Sequence, residues 1–388
     1  MAAYGSAALT GRDDMDGYGA SHTGIHQGLQ RGMPLIFVLA CAVSAPAMAA
    51  TPLAGVPRTA ALPGSGQDAA TAVDYSAARD ISADGLVVGQ SSTPSGQPRA
   101  FLWTPWTREM TSLGTLEGHV ASNASAINSA GYVVGDSCER SGRTCIAHAF
   151  LWSPRSRTMT DLGTLGGELS FATGINDRRQ VVGVSTTRRD RGHAFLWRPA
   201  TQEMTDLGTL GGRSSQAFAV NNRGQVVGQS TTSLGRYRAF LWRPRTQTMV
   251  NLGTFGEGAN EVVALDINDR GQIVGYLYDR SGFKRAFLWR PLSQTMTDLG
   301  SLDDGDTTAS GINDNGQVVG ASRVAGWWRA FLWRPRTNAM TDLGSIGRNS
   351  AAVALNERGW VVGSSGGHAT LWKPTAQTIV DLGVLSDG

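Results

Sequence analysis

The chain has 388 residues, of which 41% are hydrophobic and 17% are charged, and its formal net charge is +3. These values exclude a disordered, highly charged chain, and the lack of any run of Lys and Arg excludes a basic nucleic-acid-binding arm. The 50 glycines favour many tight turns over long helices. The composition therefore predicts a folded chain that is rich in turns.

The front of the chain has the features of an export signal. Met33–Ala45 is an apolar run too short to span a bilayer, and Ala47-Met48-Ala49 has the small-x-small pattern of a cleavage site. We therefore predict a leader with a secretory signal peptide over residues 1–49, cut near Ala49. An Ala/Pro/Gly-rich linker is predicted over 50–73. The mature chain should be secreted or periplasmic and should have no transmembrane segment.

The remaining residues, 74–388, contain seven copies of one repeat. Each copy holds four short segments, of the types Ala-x-x-Ile-Asn, Gly-x-Val-Val-Gly, Ala-Phe-Leu-Trp and Met-Thr-Asp-Leu-Gly. Gly, Pro, Asn or Ser bound the segments, which are rich in β-branched and aromatic residues, so each is predicted to be a strand. Four antiparallel strands in a repeat of about 45 residues are typical of a β-propeller blade.

Seven such units predict an all-β fold, a seven-bladed β-propeller over residues 74–388. Phe240 and Trp242 point to one face of their strand and Leu241 to the other, so both faces need covering, as stacked blades provide. Small residues suit the innermost strand, and alanine recurs in the first segment of every unit, at Ala78, Ala124, Ala172, Ala217, Ala264, Ala309 and Ala352. An open β-solenoid is the alternative, although its usual terminal caps are missing from the sequence.

The turn between the first two strands has a recognisable pattern, Asn first and Gly fourth, as in Asn313-Asp314-Asn315-Gly316. A type I turn favours Asn at its first position, and Gly at its fourth where the chain passes through positive φ. Arg179 stands where the other units have glycine. We therefore expect Arg179 to have a positive φ, at a cost of about 1 kcal/mol.

The combined pattern resembles the HAF-repeat family of bacterial extracellular repeat proteins, which is named for the tripeptide His-Ala-Phe. The motif stands here as His148-Ala149-Phe150 and His193-Ala194-Phe195, and Asp161–Gly167 follows the first of these. The resemblance covers all seven units. It implies an exported repeat protein and leaves its activity open.

A basic residue precedes the Ala-Phe pair, or its equivalent, in every unit. In a closed propeller these residues would form a ring, which could bind an acidic polysaccharide because Arg makes bidentate contacts to carboxylates. The alternative is a structural role, in which each basic residue pairs with a recurring aspartate. The basic residues are Arg99, His148, His193, Arg238, Arg285, Arg329 and His368, and the aspartates are Asp161, Asp206, Asp298, Asp342 and Asp381.

Departures from the repeat supply further candidate sites. Trp327 and Trp328 fall in the predicted loop between the second and third strands of unit six, where they are candidate contacts for a sugar or a protein. Asp303, Asp304 and Asp306 form an acidic loop that could hold Ca²⁺ or could simply be solvated. No other metal site is predicted from the sequence.

The two cysteines of unit two, Cys138 and Cys145, flank a predicted hairpin. An exported chain meets an oxidising compartment, so a disulfide between them is predicted.

The sequence contains no nucleophile elbow, phosphate loop, His-Glu-x-x-His motif or dinucleotide fingerprint. We therefore predict a secreted, non-catalytic, monomeric repeat protein that needs no cofactor. Its expected ligand is a surface glycan, such as an acidic polysaccharide, or a cell-surface partner protein, and no nucleic acid. The alternative is a polysaccharide-degrading enzyme with its site in the propeller funnel, where two carboxylates about 5–10 Å apart would be expected.

Overall fold

The computed structural model describes residues 74–141, 144–255 and 261–386, which form a seven-bladed β-propeller. Each blade is a sheet of four antiparallel strands that follow one another along the chain. The propeller prediction is confirmed, and the solenoid alternative is wrong. Within the described residues, helix is limited to one 3-10 turn at Pro374–Ala376, and no helix could cross a membrane. The predicted signal peptide and linker lie outside the described residues.

Strands are numbered in chain order, four to a blade. The innermost strands are Ser76–Ile81 (β1), Ala121–Ile127 (β5), Gly166–Ile175 (β9), Gly211–Val220 (β13), Val262–Ile267 (β17), Thr307–Ile312 (β21) and Ser350–Leu355 (β25). The second strands are Val87–Ser92 (β2), Val133–Ser141 (β6), Val181–Thr187 (β10), Val226–Thr232 (β14), Ile273–Tyr278 (β18), Val318–Val324 (β22) and Val361–Ser365 (β26).

The outer half of each blade is a second hairpin. The third strands are Pro98–Trp103 (β3), Thr144–Trp152 (β7), Gly192–Arg198 (β11), Tyr237–Arg243 (β15), Lys284–Arg290 (β19), Trp327–Arg334 (β23) and His368–Lys373 (β27). The outermost strands are Met110–Ser112 (β4), Met159–Asp161 (β8), Glu203–Asp206 (β12), Thr248–Asn251 (β16), Thr295–Asp298 (β20), Ala339–Asp342 (β24) and Thr378–Asp381 (β28).

The glycine of the Val-Val-Gly segment is required by close packing inside each blade. A Cβ atom at Gly228 would lie 2.0 Å from the carbonyl oxygen of Gln216 on the innermost strand. A shift in strand register between Ala217 and Ala219 accompanies this close approach. Any side chain at Gly228 would therefore force the two strands apart.

The core lies between neighbouring blades. Phe240 and Trp242 of β15 are almost fully buried and pack with Val182 and Leu196 of the preceding blade. Leu241, on the opposite face of the same strand, belongs to the apolar cluster shared with the next blade. Burial of one such side chain stabilises the fold by roughly 2 kcal/mol. The Phe-Leu-Trp segments are therefore core residues.

Buried serines join neighbouring blades by hydrogen bonds. Ser215 of blade four accepts from the backbone N–H of Ala194 in blade three at 2.9 Å. Ser230 accepts from the N–H of Leu210, in the segment that connects blade three to blade four, at 2.8 Å. Blade five has Val262 and Leu277 at the two equivalent positions, and both are buried. Blade five therefore has apolar side chains in place of both serines where it meets the preceding blade.

The ring closes without a shared strand, since the first and last blades each consist of four consecutive strands. Ser76 of the first blade joins the last blade by donating its N–H to the carbonyl of Gly367 at 3.2 Å and accepting from the N–H of Ala369 at 2.8 Å. Phe101 of β3 packs in one apolar cluster with Leu371 of β27. Side-chain packing and isolated hydrogen bonds therefore hold this seam.

Candidate functional site

All seven blades contribute to a cavity on the propeller axis, which we call the central mouth. Three consecutive residues of each blade line it, at the end of the innermost strand and the start of the following turn. Its volume of about 260 Å³ admits a few side chains or an extended segment and excludes a folded domain. The residues are an apolar ring (Ile81, Ile127, Ile175, Val220, Ile267, Ile312, Leu355), an amide ring (Ser82, Asn128, Asn176, Asn221, Asn268, Asn313, Asn356) and an outer ring (Ala83, Ser129, Asp177, Asn222, Asp269, Asp314, Glu357).

The amide ring connects the blades. Asn221 Oδ1 accepts from the N–H groups of Arg223 and Gln225 in its own turn, at 3.1 and 3.0 Å. Asn221 Nδ2 donates to the carbonyl of Asn268 in the next blade at 3.1 Å. Six of the seven blades repeat this second bond, and Ser82 takes the place of asparagine in the first blade. The turn role was predicted from the sequence, and the link between blades was missed.

The outer ring places four carboxylates around the opening, Asp177, Asp269, Asp314 and Glu357. Each accepts a hydrogen bond from a backbone N–H of the preceding blade; for example, the N–H of Asp269 donates to Asp314 Oδ1 at 2.8 Å. Burial alone would raise the pKa of Asp177, but hydrogen bonds from Ser129 and Asn222 lower it below its ordinary value. The ring therefore offers fixed negative charge to a cation on the axis.

Two further carboxylates lie one residue deeper than the apolar ring. Asp80 Oδ2 accepts from the N–H of Ile127 at 2.9 Å, and Asp266 Oδ2 accepts from the N–H of Ile312 at 2.8 Å, each in the next blade. Burial raises the pKa of Asp80 to about 7 and that of Asp266 to about 6, although backbone hydrogen bonds oppose the shift. Removal from water therefore favours the neutral form of both carboxyl groups.

Sequence reasoning missed these two aspartates, although a signal was present. The other five blades have Ala or Gly at the equivalent position, so an aspartate there breaks the pattern. Gly174 shows why small residues are usual, because a Cβ atom there would lie 2.9 Å from the carbonyl oxygen of Phe218 in the next blade.

Four residues of the predicted basic ring pair with aspartates of the same blade. His148, His193 and His368 place Nδ1 2.7–2.8 Å from an Oδ2 of Asp161, Asp206 and Asp381, respectively. Arg285 donates to Asp298 Oδ2 from both Nε and Nη2, at 3.1 and 2.8 Å. The structural alternative stated from the sequence therefore describes these four residues.

The other three basic residues differ. Arg99 donates from Nη1 to backbone carbonyls of Pro98 and Val120, and Arg238 donates from Nη1 to the carbonyl of Tyr237. Arg329 makes no ion pair with Asp342 or with any other residue that the structure describes. The seven basic residues follow the turn between the second and third strands, so they lie at the opposite end of the blades from the central mouth.

The His–Asp pairs have the geometry of a base with its orienting carboxylate, so their neighbours decide whether they could activate a nucleophile. Ser185 lies directly across the strand pair from His193. Its side chain is 1% exposed, donates to the carbonyl of Leu169 and accepts from the N–H of Leu165. No hydroxyl group in the described part of the chain bonds to these imidazoles. The described residues therefore assemble no serine–histidine–aspartate triad.

Trp327 and Trp328 lie in strand β23, and the predicted position in a loop is wrong. They pair with Val324 and Arg323 across a tight hairpin, because the turn consists of Ala325 and Gly326 alone. Arg348 lies over the Trp327 ring, with Cζ 5.2 Å from its centroid. Both tryptophans are half-buried and lie on the face opposite the central mouth.

The acidic loop does not assemble a cation site. Asp303 accepts from the N–H of Ala325 at 3.3 Å, and Asp306 accepts from the N–H of Lys284 at 2.8 Å. No group of three or more acidic, His or Cys residues converges on a metal-sized space among the residues described. The Ca²⁺ candidate is therefore unsupported. The predicted disulfide between Cys138 and Cys145 is confirmed, with the two Cα atoms 5.6 Å apart.

No protein-family model and no curated protein sequence matches the chain. It is similar to the structure of a Mycobacterium tuberculosis puromycin-hydrolyzing peptidase, with a TM-score of 0.56, 12% identity, and coverage of 80% of this chain and 53% of that one. A puromycin hydrolase mutant complexed with PGG gives a TM-score of 0.55 with the same identity and coverage. The β-propeller domain of the Trilobed protease from Pyrococcus furiosus gives a TM-score of 0.53 at 9% identity, covering 79% of this chain and 95% of that one.

At these identities the similarity shows the β-propeller fold alone. The chain spans about half the length of the two puromycin hydrolases. The Pyrococcus furiosus propeller has an open velcro topology, and here too the first and last blades share no strand.

The function predicted from the sequence is contradicted by this comparison. The similar propellers belong to peptidases, so the expectation of a non-catalytic protein that binds a surface glycan or a partner protein is wrong. The comparison gives no support to the alternative, a polysaccharide-degrading enzyme.

Proposed function

We propose that this chain is a protease-related propeller that receives the positively charged end of a polypeptide at its central mouth. Three of the solved propellers to which its fold is similar belong to peptidases. The observation that carries the proposal is the ring of Asp177, Asp269, Asp314 and Glu357 around the opening. An α-amino group or a Lys or Arg side chain is the peptide chemistry that complements such a ring.

The geometry of the ring supports a binding role. Each carboxylate is held through one oxygen by a backbone N–H, as in the 2.7 Å bond from Asn222 to Asp269 Oδ1, so its position is fixed before a cation arrives. The cavity of about 260 Å³ suits an extended segment. Peptide-bond hydrolysis would require groups beyond the histidine–aspartate pairs described above, because their neighbouring serines are buried.

We further propose that the chain is exported and belongs with the HAF-repeat proteins that its sequence resembles. The disulfide between Cys138 and Cys145 supports an oxidising compartment. Mass spectrometry of the mature N-terminus, after expression in a bacterial host with a secretion pathway, tests the cleavage expected near Ala49.

Binding of a decapeptide with a free amino terminus tests the proposed function. We would compare it with its N-acetylated form by isothermal titration calorimetry, using the full chain and the double variant Asp269→Asn/Asp314→Asn. Asparagine keeps the oxygen that accepts the backbone N–H, so the variant should fold. It loses the charge and, at position 269, the bond that Asn222 Nδ2 donates to the second carboxylate oxygen. We expect acetylation and the double variant each to weaken binding by about tenfold, the equivalent of 1.4 kcal/mol.

Asp279→Asn is the matched control, because Asp279 also caps backbone N–H groups but in a turn on the opposite face. It should leave the affinity unchanged. Equal affinity for the free and acetylated peptides, or an unchanged affinity in the double variant, would contradict the proposal.

A further inference from the structure

A second cavity, which we call the outer depression, lies between blades four and five on the same face as the central mouth. Its lining includes Arg223 and Arg270, which directly follow Asn222 and Asp269 of the mouth in the chain. In these two turns, consecutive residues thus line different cavities. In the turn of blade five, the acidic Asp269 lines the mouth and the basic Arg270 lines the outer depression.

The outer depression carries excess positive charge. Arg223, Arg270 and Arg290 contribute three guanidinium groups to its lining. Arg290 is held by its own blade, since Nη1 donates to Thr297 Oγ1 at 3.0 Å. Arg223 and Arg270 pair with no carboxylate among the described residues. Guanidinium groups in this arrangement are suited to an anion with two oxygens, such as a carboxylate.

An apolar group completes the depression. Pro291 and Leu292 line it, and the Leu292 side chain is 100% exposed. Three other blades have Arg155, Arg245 or Arg336 at the position of Leu292, so leucine here is a departure within the repeat. A fully exposed leucine beside three arginines suits a ligand that joins an anion to an apolar group.

From this placement we infer that the outer depression binds the C-terminal carboxylate of a short peptide together with the apolar side chain of its last residue. The inference rests on the proposed function, because the amino end of the same peptide would lie at the central mouth. Charged groups on neighbouring residues that point apart are on the order of 10 Å from each other, the span of about three extended residues. The adjoining charges of opposite sign therefore select a short zwitterionic peptide.

The experiment uses the tetrapeptide Lys-Ala-Ala-Leu as the free acid and as the C-terminal amide, with affinities measured by calorimetry on the full chain. We expect the free acid to bind about tenfold more tightly than the amide. The variant Arg223→Gln/Arg270→Gln should remove that difference and leave binding of the amide unchanged. Arg336→Gln, an exposed arginine of blade six at the position that Leu292 occupies in blade five, is the control and should preserve the difference.

Two further binding measurements identify the class of ligand. Leu292→Ser should weaken binding of Lys-Ala-Ala-Leu and leave Lys-Ala-Ala-Ser unaffected. Decanoate has a carboxylate and an apolar chain but no amine, so it should bind more weakly than the peptide. Decanoate binding as tight as that of the peptide would overturn the inference in favour of a lipid anion.

Failure of this inference and failure of the proposed function give different results. Equal binding of the acid and the amide, with acetylation of both amines of Lys still weakening both peptides, overturns the inference about the outer depression and leaves the proposed function of the central mouth intact. If acetylation of both amines has no effect, the proposed function fails, and the inference that depends on it fails too.

Discussion

The side-chain amide of Asn356 donates a hydrogen bond to the carbonyl oxygen of Ser82, 3.1 Å away, and so joins the last blade to the first. The same bond recurs at five other seams, where the chain itself also connects the two blades. At the closing seam no covalent connection supports it. The bond between Asn356 and Ser82 should therefore matter for closure of the ring.

Asn356→Asp should lower the free energy of unfolding by about 1–3 kcal/mol. The carboxylate still accepts from its own turn, but it cannot donate to Ser82 and it puts a charge at a site that is 5% exposed. Calorimetric melting of the variant measures the loss. Asn338→Asp, in an exposed turn, is the control and should melt as the parent does. Equal melting of both variants would contradict a role for this bond.

Ser82→Asn should raise the melting temperature. It would give the first blade the asparagine that the other six have, with Oδ1 accepting from the turn as Ser82 Oγ does from the N–H of Leu86. Its Nδ2 could then donate to Asn128, and a buried hydrogen bond contributes about 1 kcal/mol. A lower melting temperature would show that the seam between the first two blades has no room for the amide.

Arg179 has a φ of 58°, as predicted from its place in the turn. Arg179→Gly should relieve about 1 kcal/mol of backbone strain and raise the melting temperature. The guanidinium also lies over the Tyr132 ring, with Cζ 5.2 Å from its centroid, and an exposed contact of this kind contributes about 0.5–1 kcal/mol. The net gain should therefore be small in the parent chain and larger in a Tyr132→Leu background. A lower melting temperature for Arg179→Gly in both backgrounds would argue against backbone strain at Arg179.

The pH dependence of stability should carry a contribution from Asp80. Burial raises its pKa from 3.8 to about 7, so between those values the folded chain binds a proton that the unfolded chain has lost. The folded state is therefore favoured at low pH, and stability falls as the pH rises from about 4 to 7. Chemical unfolding of Asp80→Asn across this range should show a shallower fall. Asp84→Asn, at an exposed position, should show the same pH dependence as the parent. If stability falls equally with pH in the parent and both variants, Asp80 does not contribute to the pH dependence.

The disulfide between Cys138 and Cys145 closes a loop with a sequence separation of 7 at the tip of a long hairpin in blade two. Loop-closure entropy for so short a loop amounts to about 2.5 kcal/mol. Cys138→Ser/Cys145→Ser should lower the free energy of unfolding by up to that amount. A reducing agent should lower the free energy of unfolding of the parent to that of the variant and should leave the value of the variant unchanged. A response of the variant to reductant would point to a different cause.

The sequence by itself determined the number of blades, their four strands, the turn chemistry and the disulfide. These features depend on residues that are close together within one repeat. The alternation of side chains along a strand, the turn residues and the aromatic core segments can therefore be predicted from short stretches of sequence. The positive φ of Arg179 is the clearest case, because one position in a four-residue turn decides it. The prediction that Trp327 and Trp328 lie in a loop was wrong, because the sequence pattern fits a two-residue turn as well as a longer loop.

Only the tertiary structure decided what the polar residues do. Asn221 bonds to Asn268, and Asp80 bonds to Ile127, across separations of 47 residues that no local pattern encodes. At four of the positions that suggested a ligand-binding ring, the basic residue pairs with an aspartate 13 residues further along the chain. The carboxylates of the central mouth become one site only because the closed ring brings the same turn of seven separate blades to a single axis.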